Sequence, residues 1–246
     1  MTKVDQFTFI LMKKVLILLF TFAFLSSQAQ DTINQTDSKG LRKGYWTKKD
    51  ENGKKLYEGH FVNGKPGGLF TYYYPDGKIK AQSVFYDNGQ RTHTRTFFPN
   101  GKKMSEGNFF KEKKDSLWKF YSDIDEALVA DEFYNNGEKE GISRTYYPGD
   151  GVSELITWHK GVKDGLWEQY YEDGKIKVRG KYRNNEKDGD IKTYYSSGKI
   201  LYTGQFREGK AFGEWLYYDP KGEIDKKETY QNGLLIGKWE KNPEKE

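Results

Sequence analysis

The sequence predicts an all-β fold, an array of about eight stacked β-hairpins that repeat every 24 residues. The first observation is a set of eight aromatic residues spaced by 24 residues at every step except one, where the spacing is 25. The second is the recurrence of Asn-Gly and Asp-Gly pairs between aromatic and β-branched runs, which is typical of hairpins. The third is an aromatic content of 17% with no sustained helical spacing of apolar residues in the array. We call the eight aromatic residues the comb; they are Phe61, Phe85, Phe109, Phe133, Trp158, Tyr182, Phe206 and Tyr230.

One complete unit, residues 165–182, shows how a copy forms a hairpin. It begins with an aromatic-rich run, reaches Asp173-Gly174, and continues in a second run where apolar and charged residues alternate. Asp tolerates a positive φ and Gly has no Cβ to clash there, so this pair predicts the turn. Period-two alternation predicts a strand with one wet face. The other face of that strand carries Ile176, Val178, Gly180 and Tyr182.

Each unit starts at a position that we call the opener, which is glycine in most units. The openers are Gly44, Gly68, Thr92, Ser116, Gly141, Gly165, Gly189 and Gly213, with a partial ninth unit at Gly237. A second aromatic ladder is predicted five residues after the opener, at Tyr73, Phe97, Tyr121, Tyr146, Tyr170, Tyr194 and Tyr218. Units that each present an apolar face must bury it against their neighbours, so the array is predicted to be one continuous domain.

Units three to five depart from the pattern. Thr92, Ser116, Asp125 and Asp150 replace expected glycines, and the one longer step lies between Phe133 and Trp158. Terminal units degenerate because they cap an array, but central units must stack on two neighbours. The departures therefore predict that a specific site, if the array has one, lies in these central units, near Tyr147 and His159.

Two segments, 57–68 and 202–213, resemble MORN repeats. Both read Tyr-x-Gly-x-aromatic, then Gly-Lys, then the Gly that opens the next unit. Units worded Gly-x-Trp-x-x-Tyr-Tyr with a following Gly-Lys-Ile are similar to the bacterial variant MORN class, which includes the YwqK-type proteins labelled as antitoxins. The resemblance covers essentially residues 44–246. It implies an elongated, single-layer, twisted antiparallel sheet of stacked hairpins that serves mainly as a scaffold, with membrane-lipid binding as a further possibility.

The N-terminal segment predicts export. Met12-Lys13-Lys14 precedes an apolar run of eleven residues, and small residues follow at Ser27 and Ala29. This order is that of a secretory signal peptide, and the run is shorter than the roughly 20 residues of a membrane span. We predict a signal peptide at residues 1–29 with residues 1–11 as an upstream extension, a flexible linker at 30–43, and the repeat array at 44–246. The alternative is an uncleaved N-terminal anchor; the expected location is periplasmic or extracellular.

The sequence offers no candidate for catalysis, a metal or a cofactor. It has no cysteine, and its three histidines, His60, His93 and His159, lack the spacing of a zinc site. The Gly-Lys pairs recur at a fixed phase of the repeat, which identifies them as turns rather than phosphate loops, and no nucleophile motif appears. Calcium-binding β-rolls have denser glycine repeats of shorter period. The formal net charge is +5 with Lys and Glu interspersed, which argues against nucleic acid as a partner.

The comb is interpreted as the packing of the sheet itself, because a thin sheet has few other groups to stabilise it. Tyrosines that share another position of the repeat are better candidates for binding, since Tyr combines an apolar ring with a polar tip. The candidate binding residues are Tyr74, Tyr147, His159, Tyr171 and Tyr195. The sequence thus predicts an exported, non-catalytic protein that binds or scaffolds another protein in the cell envelope. The alternatives are an antitoxin of a toxin–antitoxin pair and a glycan-binding envelope protein.

Overall fold

The computed structural model describes residues 32–149 and 151–241, which form one open antiparallel sheet of 20 strands without a helix. Strands pair with their neighbours in sequence, so the chain runs as a meander of hairpins, as predicted. The strands are β1 (Gln35–Thr36), β2 (Arg42–Lys49), β3 (Lys55–Val62), β4 (Lys65–Tyr73), β5 (Ile79–Tyr86), β6 (Arg91–Phe97), β7 (Lys103–Phe110), β8 (Lys113–Tyr121), β9 (Leu128–Asn135), β10 (Glu138–Lys139), β11 (Gly141–Tyr146), β12 (Val152–His159), β13 (Val162–Tyr170), β14 (Ile176–Arg183), β15 (Glu186–Lys187), β16 (Gly189–Tyr194), β17 (Ile200–Arg207), β18 (Lys210–Tyr218), β19 (Ile224–Gln231) and β20 (Leu234–Glu240). The predicted signal peptide lies outside the described residues.

Two kinds of turn alternate along the chain and collect at opposite edges of the sheet. The longer kind is seen at Tyr74–Lys78, where the Tyr74 amide donates to the Lys78 carbonyl and the Asp76 carboxylate accepts the Lys78 amide. The shorter kind is the pair Asn63-Gly64, with both residues at positive φ, as in a type I′ hairpin. We call the two edges the long-turn edge and the short-turn edge.

Most openers have a left-handed backbone beside a shift in strand register. Gly68 has a φ of 68°, and the pairing of β3 with β4 shifts at this level. Ser116 keeps that conformation, with a φ of 62°. Thr92 is β-branched and disfavours positive φ, and β5 and β6 pair over six residues without a shift. The connecting loop, residues 87–90, is correspondingly longer than the two-residue turns, so the third unit is a regular hairpin with a larger loop.

Side chains alternate between two faces of the sheet, and one face, which we call the ladder face, carries most of the core. The deepest rings stand two residues after the opener, and Phe70 and Trp118 are each 2% exposed. Gly107 lies beneath Trp118, where a Cβ would come within 2.3 Å of the indole. Comb rings pack edge-on against this deeper row, as Phe85 does on Phe70 at 5.0 Å between ring centroids. The comb therefore belongs to the core but flanks a row that is buried more deeply.

The structure corrects one member of the comb. Ser116, the opener of the fourth unit, pairs with Tyr134, whereas Phe133 pairs with Leu117. Tyr134 is buried on the ladder face, but Phe133 is 44% exposed on the other face, which we call the reverse face. Tyr134 is therefore the comb residue of this unit.

The cause is the position of the extra residue. It lies in the long turn of the fourth unit, where the Ser122 amide donates to the Ala127 carbonyl, one residue further than in the Tyr74–Lys78 turn. The longer step thus precedes β9 rather than separating Phe133 from Trp158. A shift of one residue sends every later side chain of a strand to the opposite face, so Phe133 points outward.

The sheet begins before the predicted start of the array. Gln35 and Thr36, within the predicted linker of residues 30–43, pair with Lys43 and Arg42 in β2. The Asp37 carboxylate closes the connecting turn by accepting the Lys39 and Leu41 amides. This part of the predicted linker is therefore a short strand and a turn.

Candidate functional site

The four tyrosines predicted to form a binding surface use their polar tips within the array. Each hydroxyl donates to a main-chain carbonyl of the next unit, 23 residues further along the chain. The pairs are Tyr74 with Phe97, Tyr147 with Tyr170, Tyr171 with Tyr194, and Tyr195 with Tyr218, at 2.6–2.8 Å. These side chains are half-buried and connect adjacent long turns. Their position in the repeat therefore reflects packing between units, which the sequence analysis did not foresee.

His159 lies apart from Tyr147. His159 is exposed near the short-turn edge, where its Nδ1 is 3.0 Å from the Glu140 carboxylate. Tyr147 follows Tyr146 at the long-turn edge. Because strands advance about 3.3 Å per residue, roughly 17 Å separates the two ends of this hairpin. The structure does not bring these two predicted residues into one site.

The second predicted ladder is present, and its tyrosines on the reverse face bond to carboxylates. Tyr73 donates to Glu58, and Tyr121 donates to Glu106 at 2.5 Å. Hydrogen bonds from Lys55, Tyr45 and Tyr73 lower the pKa of Glu58 to about 2. Burial and the bond to Glu58 raise the pKa of Tyr73 to about 12. The ionised carboxylate and the neutral phenol stabilise each other, so these groups hold units together.

A row of exposed apolar side chains crosses the reverse face near the short-turn edge. Leu69 pairs directly with Val84, and Leu117 pairs directly with Phe133. We call this set the apolar row; its members are Leu69, Val84, Leu117, Phe133, Ile142 and Leu166, each between 37% and 53% exposed. Positively charged side chains of Arg95 and Arg144 flank it on the same face. Single exposed apolar residues are ordinary, but a contiguous set rimmed by charge is typical of protein interaction sites.

A concavity of about 840 Å³ opens on the ladder face over units two and three. Its floor includes Ser83, Thr92 and Thr94, and Phe85 and Phe109 stand on either side of Thr92. We call it the hydroxyl groove; its remaining lining residues are Lys65, Pro66, Tyr72, Asn88, Gly89, Gln90, Lys111 and Glu112. The sequence analysis placed a possible site in units three to five and missed these residues. The available signal was Thr94, which stands in the 24-residue register of Phe70 and Trp118.

Among the described residues, no group of three or more acidic or histidine side chains is arranged to hold a metal ion. The same part of the chain contains no helix long and apolar enough to cross a membrane. The histidine His93 on the reverse face bonds to Asn108 at 3.0 Å. The features that stand out are therefore two surfaces, the apolar row and the hydroxyl groove, on opposite faces of the sheet.

Comparison with protein families identifies five segments of this chain as the MORN repeat variant, at residues 42–63, 66–88, 163–184, 187–208 and 213–232. The unmatched stretch between residues 88 and 163 contains the units that depart from the repeat pattern. No curated protein matches the chain at a significant level.

Among solved structures, the chain is similar to TarM, with 17% identity over 37% of this chain and 18% of that one. It is also similar to a mutant of S. aureus TarM in complex with Fondaparinux, alpha-GlcNAc-glycerol and UDP, with 15% identity over 56% of this chain and 22% of that one. The GtfA/B complex matches with 14% identity over 44% of this chain and 20% of that one. The TM-score is 0.29 in all three cases, too low to carry an argument about this protein.

Proposed function

We propose that this array of MORN-variant repeats is an exported, non-catalytic binding protein that holds a partner protein on its apolar row. The observation that carries the proposal is the alignment of six exposed apolar side chains on one face of a sheet whose core lies mainly on the other face. An open sheet of repeats offers a long, regular surface, which is how repeat proteins commonly engage their partners.

Leu117 and Phe133 form the centre of this surface. They pair across β8 and β9, and each keeps more than two fifths of its surface exposed. Large rings at the centre of an interface account for much of the binding energy, while the polar rim excludes water. The flanking Arg95 and Arg144 favour a partner with acidic residues around an apolar centre.

Export supports an envelope partner rather than a cytosolic one. The proposal of export rests on the basic start, short apolar run and small residues of the N-terminal segment. The rival role is that of an antitoxin, as the narrower resemblance to YwqK-type proteins implies. An exported antitoxin would need an exported toxin, so the identity of the captured partner distinguishes the two roles.

The test uses a photo-crosslinking amino acid at position 133 in cells, followed by identification and purification of the captured protein. We expect the purified partner to bind the Leu117→Ser/Phe133→Ser double variant at least about tenfold more weakly than the parent chain. The matched control is Ile124→Ser, which removes an 80% exposed apolar side chain from a distant turn. Unchanged affinity in the folded double variant would refute the apolar row as the binding surface.

A further inference from the structure

The buried row of rings on the ladder face is interrupted in the third unit. Two residues after the opener, the neighbouring units carry Phe70 and Trp118, whereas the third unit carries Thr94. The fifth unit also lacks a ring here, at Ser143, but Trp158 covers that position and donates its indole N–H to the Ser143 hydroxyl at 2.7 Å. The hydroxyl groove is therefore the place where the ladder lacks a ring and a concavity opens instead.

Small polar side chains form the floor of this groove. Along β6, Thr92, Thr94 and Thr96 point to the ladder face, and Thr94 lies between Ser83 of β5 and Gly107 of β7. Ser83, Thr92 and Thr94 are each less than 10% exposed. A row of hydroxyl groups replaces the aromatic packing of the other units.

The floor has hydrogen-bonding capacity to spare. The Ser83 and Thr94 hydroxyl oxygens lie 2.8 Å apart, so one of them donates to the other. Each hydroxyl has one donor hydrogen and two acceptor lone pairs. One donor hydrogen and several lone pairs of this couple therefore remain for a molecule in the groove.

Aromatic rings form the walls, and mixed polar groups form the rim. Phe85 and Phe109 pair across Thr92 from opposite sides. The rim at the short-turn edge contributes the amides Asn88 and Gln90 and the charged residues Lys65, Lys111 and Glu112. Ligand sites commonly combine apolar walls with a few polar groups that fix orientation.

We infer that the hydroxyl groove binds a saccharide. A sugar ring presents C–H faces that pack on aromatic walls and hydroxyl groups that exchange hydrogen bonds with Ser83, Thr94 and the rim amides. An apolar ligand would bury the spare hydroxyl hydrogen without a partner, which is costly. A phosphate-bearing ligand finds two lysines at the rim that Glu112 partly neutralises, with no backbone cradle in the floor.

This inference is separate from the proposed protein-binding role, because the hydroxyl groove and the apolar row lie on opposite faces. The key variant is Thr94→Trp, which places in the third unit the residue that the fourth unit has at Trp118. It should fill the groove while continuing the ladder. Thr94→Val removes only the hydroxyl, and Thr193→Val is its control, because Thr193 is a buried threonine in the seventh unit whose hydroxyl has no partner within the described structure.

The experiment measures binding of the full chain to a panel of immobilised hexose and N-acetylhexosamine oligosaccharides, with inorganic phosphate and an unrelated peptide as comparison probes. We expect binding of at least one saccharide, with saturation transfer between sugar protons and the protein. Thr94→Trp should weaken it at least about tenfold and Thr94→Val by about two- to tenfold. Thr193→Val should leave it unchanged.

Three results would overturn the inference: no saccharide of the panel binds at millimolar concentration, phosphate or the peptide binds in the groove instead, or Thr94→Trp leaves saccharide affinity unchanged. A circular dichroism melt of each variant separates loss of the groove from loss of the fold. Leu117→Ser/Phe133→Ser should retain saccharide binding, so failure of this inference and failure of the proposed function are distinguishable.

Discussion

The hydroxyl of Tyr171 donates to the carbonyl oxygen of Tyr194 at 2.6 Å, which links one long turn to the next across 23 residues of sequence. A lysine beside the same turn adds a second link, as Lys175 Nζ donates to the Ser196 carbonyl at 3.1 Å. Both contacts recur along the long-turn edge. They satisfy carbonyl groups of the turns and fix the spacing between adjacent units.

We expect Tyr171→Phe to lower the free energy of unfolding by about 0.5–1.5 kcal/mol, the net contribution of a typical hydrogen bond. The ring remains, so the change isolates the hydroxyl. Tyr86→Phe is the matched control, because Tyr86 is 45% exposed and its hydroxyl has no partner among the described residues. Urea melts of both variants measure the difference, and equal stabilities would show that the link between turns contributes nothing.

The deep row predicts a large difference between two aromatic residues of the fourth unit. Trp118→Ala should lower the free energy of unfolding by about 3–5 kcal/mol, because the indole is almost fully buried. Phe133→Ala, at an exposed position, should change it by less than about 1 kcal/mol. Denaturant melts compare the two, and a larger loss from Phe133→Ala would contradict the register of β9.

Gly107 is expected to be intolerant of even one methyl group. A Cβ there would stand 2.3 Å from the Trp118 ring, so Gly107→Ala must displace the indole and should cost about 1–3 kcal/mol in unfolding free energy. The control is Gly67→Ala in β4, where the nearest atom to a new Cβ is 3.9 Å away. Thermal melts test this, and similar stability of both variants would show that the indole lies elsewhere.

Glu58 predicts a dependence of stability on acid pH. Its pKa falls from 4.5 to about 2 in the folded chain, so between these values the unfolded chain binds more protons than the folded one. The stabilisation is present above pH 4.5 and is lost as the pH falls towards 2. The urea midpoint of the parent chain should therefore decrease more between pH 5 and pH 3 than that of Glu58→Gln.

The control for this measurement is Glu51→Gln, which changes an exposed turn residue that forms no ion pair within residues 32–149 or 151–241. Its urea midpoint should follow the parent chain across the same pH range. If Glu58→Gln also follows the parent chain, the network of Glu58, Lys55 and Tyr73 does not contribute to stability.

The repeat pattern was sufficient to predict the hairpins, their turns and the all-β architecture. Turn chemistry is local, so Asn63-Gly64 and Asp76-Gly77 mark their turns whatever surrounds them. The family resemblance likewise extended to five matched segments. The comb identified core positions because one period repeated through nearly identical units.

The remaining features depend on contacts between units. Nothing local distinguishes Phe133 from Tyr134 as the inward residue; the length of the preceding turn decides it through the register of β9. The tyrosine hydroxyls that looked free in the sequence meet carbonyls 23 residues away.

The sequence by itself determined the hairpin array, because backbone conformation at turns and period-two alternation are short-range properties. Only the tertiary structure decided which face of the sheet each side chain occupies and where a concavity forms. A groove appears over Thr94 because the rings on the flanking strands are wide and Thr94, Ser83 and Gly107 are small. That is a relationship between neighbouring strands, and only their alignment in space establishes it.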